Sequence, residues 1–148
     1  MNEINLPESN IIGIITKASN SDMQSISVLW GRFYSEDILN KIPNKLGNDI
    51  ISLYCDYEGD YTKPYSLLIG CRVSSTENIP ESMTVKKIPA GKYVVFTAKG
   101  KIPDSIIKTW QKIWGSGIER AYTFDYEDYG ESSTNPEKEV DIYIAVKD

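Results

Sequence analysis

The chain carries the same helical pattern twice. In each copy, apolar or aromatic residues stand at a first position and again four, seven and eight positions later: Ile26, Trp30, Phe33 and Tyr34, then Ile106, Trp110, Ile113 and Trp114. This spacing places the four side chains on one face of an α-helix. Two copies of one unit predict a pseudo-symmetric fold, and the seam between the halves is the natural place for a binding site.

Strand patterns and a tyrosine pair follow each helical copy. The pairs are Tyr54 with Tyr57 and Tyr126 with Tyr129, each with acidic neighbours. Cap and turn residues predict helices from Ser21 to about residue 40 and from Pro103 to about residue 115. Strands are predicted at residues 10–17, 50–57, 65–73, 83–88, 93–98, 121–129 and 139–147, with hairpin loops at 58–64 and 130–136.

These elements predict an α+β fold made of two β-α-β-β repeats in a pseudo-twofold arrangement. One antiparallel sheet carries two main helices on one face, because one helix alone cannot cover its sheet, and a groove separates the halves. We expect one domain spanning residues 1–148, with half-units at about 10–73 and 82–148, since 148 residues are too few for two ordinary domains.

Composition excludes several function classes. The net charge of −5, with no basic cluster, argues against direct binding of nucleic acid. No apolar run is long enough for a membrane helix, and no signal peptide is evident, so we expect a cytoplasmic protein without membrane contact. The two cysteines, Cys55 and Cys71, are interpreted as buried reduced thiols.

The chain contains no histidine. This absence removes the commonest general base and the main nitrogen ligand for metals, which excludes serine triads, cysteine–histidine dyads and ordinary zinc sites. We therefore expect no metal site and no cofactor.

The order of motifs resembles the GyrI-like effector-binding domains, which occur alone and at the C-terminus of multidrug-responsive bacterial transcription activators. The resemblance rests on residues 29–34, 88–93, 110–114, 126–129 and 140–146, which together span nearly the whole chain. It implies two β-α-β-β units around an aromatic pocket for bulky, lipophilic and often cationic molecules. One buried glutamate faces the positive charge in that family, and the matching position here is Glu127. Tyr126 replaces the family's usual phenylalanine, and Asp125 offers a second register.

The chemistry of such a pocket follows from the side chains themselves. A buried carboxylate needs a positive charge or hydrogen-bond donors, and aromatic faces attract cations by roughly 0.5–2 kcal/mol each. We expect Glu127 to supply the counter-charge for a ligand cation inside a cage of aromatic residues: Trp30, Tyr54, Tyr57, Trp110, Trp114 and Tyr143. When the last strands of the two halves are aligned, Gly70 corresponds to Tyr143. When the two tyrosine pairs are aligned, Cys55 corresponds to Glu127. The smaller residues in the first half predict that this half leaves space for the ligand.

Three functions remain open at this point. The first is a stand-alone sensor or sequestering protein for a small lipophilic or cationic molecule, with a possible protein partner in transcription. The second is a hydrolase of reactive lipophilic molecules, in which Glu127 and a tyrosine such as Tyr143 activate water without histidine. The third is a protein-interaction module related to gyrase inhibitors. The binding module is favoured, because the missing histidine argues against an enzyme and the modest, dispersed acidity argues against a DNA-mimicking interaction surface.

Overall fold

The computed structural model describes residues 3–131 and 138–147, and in them eight strands form one antiparallel sheet. In chain order the elements are β1 (Glu3–Leu6), β2 (Ser9–Ala18), α1 (Met23–Ser35), α2 (Ile38–Lys41), β3 (Asp49–Cys55), β4 (Tyr65–Val73), β5 (Thr84–Ile88), β6 (Gly91–Ala98), α3 (Asp104–Gly115), β7 (Arg120–Glu131) and β8 (Val140–Val146). The predicted α+β class is confirmed. The structure does not describe residues 132–137, so residues 132–136 of the predicted second hairpin loop lie outside the described residues.

The order of strands across the sheet shows the internal symmetry. It runs β1-β6-β8-β7-β3-β4-β2-β5, so that β6, β8 and β7 of the second half mirror β2, β4 and β3 of the first. The halves meet where β3 pairs with β7, with Ser52 opposite Glu127. The leading strand of each half is exchanged: β1 pairs with β6 and β5 pairs with β2.

Two short connections require the sheet to curl. The β1–β2 and β5–β6 links contain only two residues each, yet each joins strands six positions apart in the sheet order. In a flat sheet such strands would be about 29 Å apart, because neighbouring strands lie about 4.8 Å apart. A two-residue link spans at most about 11 Å. The sheet therefore rolls until its two edges approach each other.

Hydrophobic cores fill both sides of this roll. Every strand contributes to a core inside it, which includes Ile11, Leu53, Leu68, Ile88 and Tyr126. The outer face packs against α1 through Leu29 and Phe33 and against α3 through Ile106 and Ile113. Both main helices thus lie on one face, as predicted. Cys71 lies in the outer core and Cys55 in the inner core; both are buried and free.

The first helix differs from its predicted length. Asp22 caps α1 by accepting from the Gln24 backbone N–H at 3.2 Å, as expected, but α1 ends at Ser35. Asp37 then takes a left-handed conformation with φ of 52°, which interrupts the helix before α2. Aspartate tolerates this conformation better than most residues. The interruption turns Ile38 into the core, where it is 2% exposed.

One strand was not expected from the sequence. β1 has only four residues with alternating exposure, and its register pairs Glu3 with Val94 and Leu6 with Gly91. On the other side of β6, Val94 pairs with Ile144 of β8. So short a strand has no periodic signal of its own, and it forms because β6 provides an edge.

No helix within the described residues is long and apolar enough to cross a membrane.

The two halves are not equivalent where glycines face each other. Gly13 and Gly70 are directly paired between β2 and β4, whereas Val95 and Tyr143 are paired between β6 and β8. A Cβ atom built on Gly70 would lie 2.0 Å from the Ile12 carbonyl oxygen. The glycines therefore allow close contact of two backbones and leave no space for a ligand, which corrects the expectation placed on Gly70.

Gly70→Ala should lower the free energy of unfolding by about 3 kcal/mol, because the added methyl group would push apart two paired strands in the centre of the first half. Urea denaturation would measure this change. Gly47→Ala is the matched control, since an added Cβ at Gly47 meets no atom within 4 Å. Equal stability of the two variants would show that β2 and β4 do not approach as described.

Candidate functional site

A cavity of about 960 Å³ lies between α1 and α3, with β3 and β7 as its floor. Its walls come from both halves of the chain. Helix α1 contributes Met23, Ile26, Trp30 and Tyr34, and helix α3 contributes Ile106, Ile107, Trp110 and Trp114. The floor includes Tyr54 of β3 and Arg120, Glu127 and Tyr129 of β7. The cavity is within the size range of small-molecule sites and lies at the predicted seam.

Glu127 is the buried acid of this floor, with 1% of its surface exposed. Its Oε2 atom accepts from the Trp110 indole N–H at 2.6 Å and from the Tyr54 hydroxyl at 3.0 Å. Its Oε1 atom accepts from the Tyr129 hydroxyl at 2.7 Å. The three donors come from α3, β3 and β7, so the carboxylate is held only when both halves are assembled.

The carboxylate of Glu127 is held by neutral hydrogen-bond donors. Among the described residues, no lysine or arginine forms an ion pair with its carboxylate. Burial raises the pKa of Glu127, although the hydrogen bonds from Tyr129, Trp110 and Tyr54 oppose this rise. Burial also raises the pKa of Tyr54 and Tyr129 well above its ordinary value, which keeps both hydroxyls protonated as donors.

Aromatic rings surround the carboxylate. The Trp30 and Tyr129 rings meet edge to face with centroids 5.1 Å apart, and Tyr54 meets Trp110 in the same way at 5.3 Å. Trp114 stacks on Tyr61 at 5.4 Å near the opening. These contacts fix the rings in a cage that offers several electron-rich faces to a ligand.

The rim of the cavity is apolar and exposed. Tyr34 is 59% exposed and Met23 is 52% exposed, and Ile107 and Tyr61 are also open to solvent. All four line the cavity. Exposed apolar side chains that gather around one opening are typical of a site for a lipophilic molecule.

A second buried acid lies two residues before Glu127 on the same face of β7. Asp125 is fully buried, and its Oδ2 atom accepts from Arg120 Nη2 at 2.7 Å and from the Tyr57 hydroxyl at 2.5 Å. Its Oδ1 atom accepts from the Ala145 backbone N–H at 2.8 Å. Burial raises the pKa of Asp125, and the charge of Arg120 opposes that rise. Asp125 thus has a cationic partner, whereas Glu127 has none in the part of the chain that the structure describes.

The structure brings together six of the seven residues that the sequence predicted for the site. Those that line the cavity are Trp30, Tyr54, Tyr57, Trp110, Trp114 and Glu127. Tyr143 is the exception, and its predicted place beside Glu127 is wrong. It pairs with Tyr126 and stacks on that ring at 4.6 Å, on the inner face of the sheet. Glu127 pairs instead with Ile142, and paired residues share a face.

The supposed correspondence of Cys55 with Glu127 is also wrong. Cys55 packs in the inner core, while Glu127 lies on the outer face below the helices. The two tyrosine pairs are therefore shifted by one residue relative to the sheet, so that residues in corresponding positions of the two pairs lie on opposite faces.

The structure adds site residues that the sequence analysis did not select. Tyr34, Tyr65, Tyr129 and Arg120 also line the cavity. Tyr129 had a signal, since it belongs to a tyrosine pair and lies two residues after Glu127 on the same face. Arg120 had none, because its position depends on an irregularity in β7: Arg120 pairs with Val146, but Asp125 pairs with Ile144.

Comparison with known proteins agrees with this geometry. Residues 4–146 match the sequence model of Cass2, described as integron-associated effector binding protein. The chain is a member of the Cass2 family. This confirms the resemblance to effector-binding domains. The chain is also 27% identical over 144 residues to YobU of Bacillus subtilis (strain 168), a candidate transcriptional regulator. The match covers 91% of this chain and 90% of YobU.

Two solved structures resemble this Cass2 protein over nearly its whole length. The integron cassette protein VCH_CASS2, from the mobile metagenome of Vibrio cholerae, is 26% identical with a TM-score of 0.76, covering 99% of this chain and 95% of that one. SAV2435 was solved bound to tetraphenylphosphonium; it is 20% identical with a TM-score of 0.82, covering 99% and 93%. The second likeness establishes a shared fold.

Glu127→Gln should gain stability relative to the parent protein as pH rises. Because the folded-state pKa of Glu127 is raised, its stabilising contribution is complete below the unfolded pKa and is lost as pH rises through the folded pKa. Glutamine does not titrate. The Tm of the variant minus the Tm of the parent should therefore increase between about pH 4 and pH 7. A difference that stays constant with pH would contradict the raised pKa.

Proposed function

We propose that this Cass2 protein binds bulky lipophilic monocations as effectors, in a sensing or sequestering role related to transcription regulation. The observation that carries the proposal is the Glu127 carboxylate, buried at the floor of an aromatic cavity and without a cationic partner among the described residues. Membership in an effector-binding family supports it, as does the tetraphenylphosphonium bound to SAV2435.

The energetics favour a cation over a neutral ligand. The folded protein has already removed Glu127 from water, and three neutral donors only partly offset that cost. A ligand cation completes the neutralisation, and each aromatic face adds roughly 0.5–2 kcal/mol. The apolar rim and walls supply the remaining attraction for a lipophilic molecule.

The hydrolase alternative loses its proposed pair. Glu127 and Tyr143 lie on opposite faces of the sheet, so they do not act together on one water molecule. Tyr54 and Tyr129 donate to the carboxylate and hold it in place. A protein partner in transcription or in gyrase control stays a prediction.

Glu127→Gln should weaken binding of tetraphenylphosphonium by about tenfold or more, which corresponds to about 1.4 kcal/mol, because the variant keeps the shape and removes the charge. Binding of triphenylphosphine oxide, a neutral molecule with three of the same rings, should change little. Titration followed by tryptophan fluorescence would measure both affinities.

The matched control is Glu81→Gln, which removes one acidic charge at an exposed position outside the cavity. It should bind both molecules as the parent does. An equal loss of affinity for the cation and the neutral molecule in Glu127→Gln would overturn the role of the charge.

Cation binding should weaken as pH falls through the raised pKa of Glu127, because the protonated acid carries no charge. Tyr54→Phe removes one donor to the ionised carboxylate, which raises that pKa further, so the pH of half-maximal binding should increase. Tyr143→Phe is the control, since Tyr143 lies outside the cavity. An unchanged pH profile in Tyr54→Phe would contradict the hydrogen bond to Glu127.

A further inference from the structure

Arg120 is a buried cation that lines the ligand cavity, and its side chain is 5% exposed. A register irregularity in β7 lies between Arg120 and Asp125, and these two residues form an ion pair across it. Within that segment Tyr122 has φ of 54°, a strained conformation for a bulky residue. Such bulges and strained residues are often found beside ligand sites.

Aromatic rings hold the guanidinium in place. Its Cζ atom lies 4.3 Å from the centroid of Tyr122, 5.7 Å from that of Trp110 and 5.9 Å from that of Tyr57. The Tyr122 ring is the nearest of the three to the guanidinium, and Tyr122 is not among the residues that line the cavity. Trp110 contacts Arg120 through its ring and Glu127 through its N–H, so one indole touches both charged groups.

Most of the donors of Arg120 have no acceptor in the described part of the chain. Nη2 donates to Asp125, but Nε and Nη1 have no hydrogen-bond partner within residues 3–131 and 138–147. These two nitrogens carry three N–H groups. Leaving a buried donor of a charged group without a partner costs about 1–3 kcal/mol or more. A ligand atom that accepts from Arg120 would recover part of that cost.

The charges decide which acceptor is suitable. Arg120 and Asp125 neutralise each other, so the three buried groups together carry the single negative charge of Glu127. A ligand with one positive charge balances that sum. A ligand carboxylate would restore an excess negative charge, and a second ligand cation would face the guanidinium. A neutral oxygen acceptor avoids both problems.

We infer that Arg120 forms a second polar subsite, which binds a neutral hydrogen-bond acceptor of the effector such as a ketone or amide carbonyl. The preferred effector is a lipophilic monocation with its positive charge at Glu127 and a carbonyl on the arm that extends to Arg120. This inference rests on the proposed function, because the cation orients the ligand.

The test compares four triphenylphosphonium cations that differ in one arm: hexyl, 3-oxohexyl, 4-oxohexyl and 5-oxohexyl. Each ketone replaces one methylene group, so charge and bulk are matched. Isothermal titration of the full chain gives the ratio of Kd for each ketone to Kd for the hexyl compound. At least one ketone should bind about tenfold more tightly than the hexyl compound, because its carbonyl reaches Arg120.

Two variants test whether Arg120 is responsible. Arg120→Lys keeps the ion pair with Asp125 and removes the free guanidinium donors. The double variant Arg120→Met with Asp125→Asn removes the pair together, so the net charge of the cavity is unchanged and no buried charge is left alone. Melting curves establish that each variant is folded. In both, the hexyl compound should bind at least as tightly as every ketone.

Arg32→Lys is the matched control, because Arg32 is exposed and lies outside the cavity. It should keep the preference for the ketone. Tighter binding of the hexyl compound than of all three ketones by the parent protein would overturn the inference, as would a ketone preference that survives in both Arg120 variants. Failure of the hexyl compound to bind at all would instead overturn the proposed function, and this inference with it.

Discussion

The assembly of the site depends on one buried carboxylate and the donors that reach it. Glu127 accepts from Tyr54 on β3, Trp110 on α3 and Tyr129 on its own strand, so its hydrogen bonds join elements from both halves of the chain. Each donor is neutral, and together they make the ion tolerable without cancelling its charge. The packing of α3 and the β3–β7 seam are therefore coupled to a group whose charge remains available to a ligand.

Two acids two residues apart on one strand illustrate how environment assigns a role. Asp125 and Glu127 are both buried on the outer face of β7. Asp125 is satisfied inside the protein by Arg120, Tyr57 and a backbone N–H. Within residues 3–131 and 138–147, Glu127 has no such cationic partner, and it lines the cavity. Both acids determine the charges that line the cavity: Glu127 supplies a negative charge, and Asp125 holds the cationic side chain of Arg120 in place.

Much of the fold and site was predictable because helical periodicity and aromatic content are local signals. The apolar faces of α1 and α3 and the location of the cavity at the seam between the halves follow from them. The missed features depend on distant contacts. β1 forms only against β6, Tyr143 is assigned its face by pairing with Tyr126, and Arg120 reaches the cavity through an irregularity that no short motif announces. A sequence repeat does not determine strand register either. The repeat aligns Cys55 with Glu127, but the two residues lie on opposite faces of the sheet.

The exchange of leading strands has a consequence for how this fold combines with others. Glu3 of β1 and Ile144 of β8 flank the same residue, Val94, on opposite sides of β6. They are two strand spacings apart, about 10 Å. A polypeptide that enters at residue 3 and leaves near residue 144 therefore returns almost to its starting point. The fold can therefore be inserted into a surface loop of a host protein with little distortion of that loop.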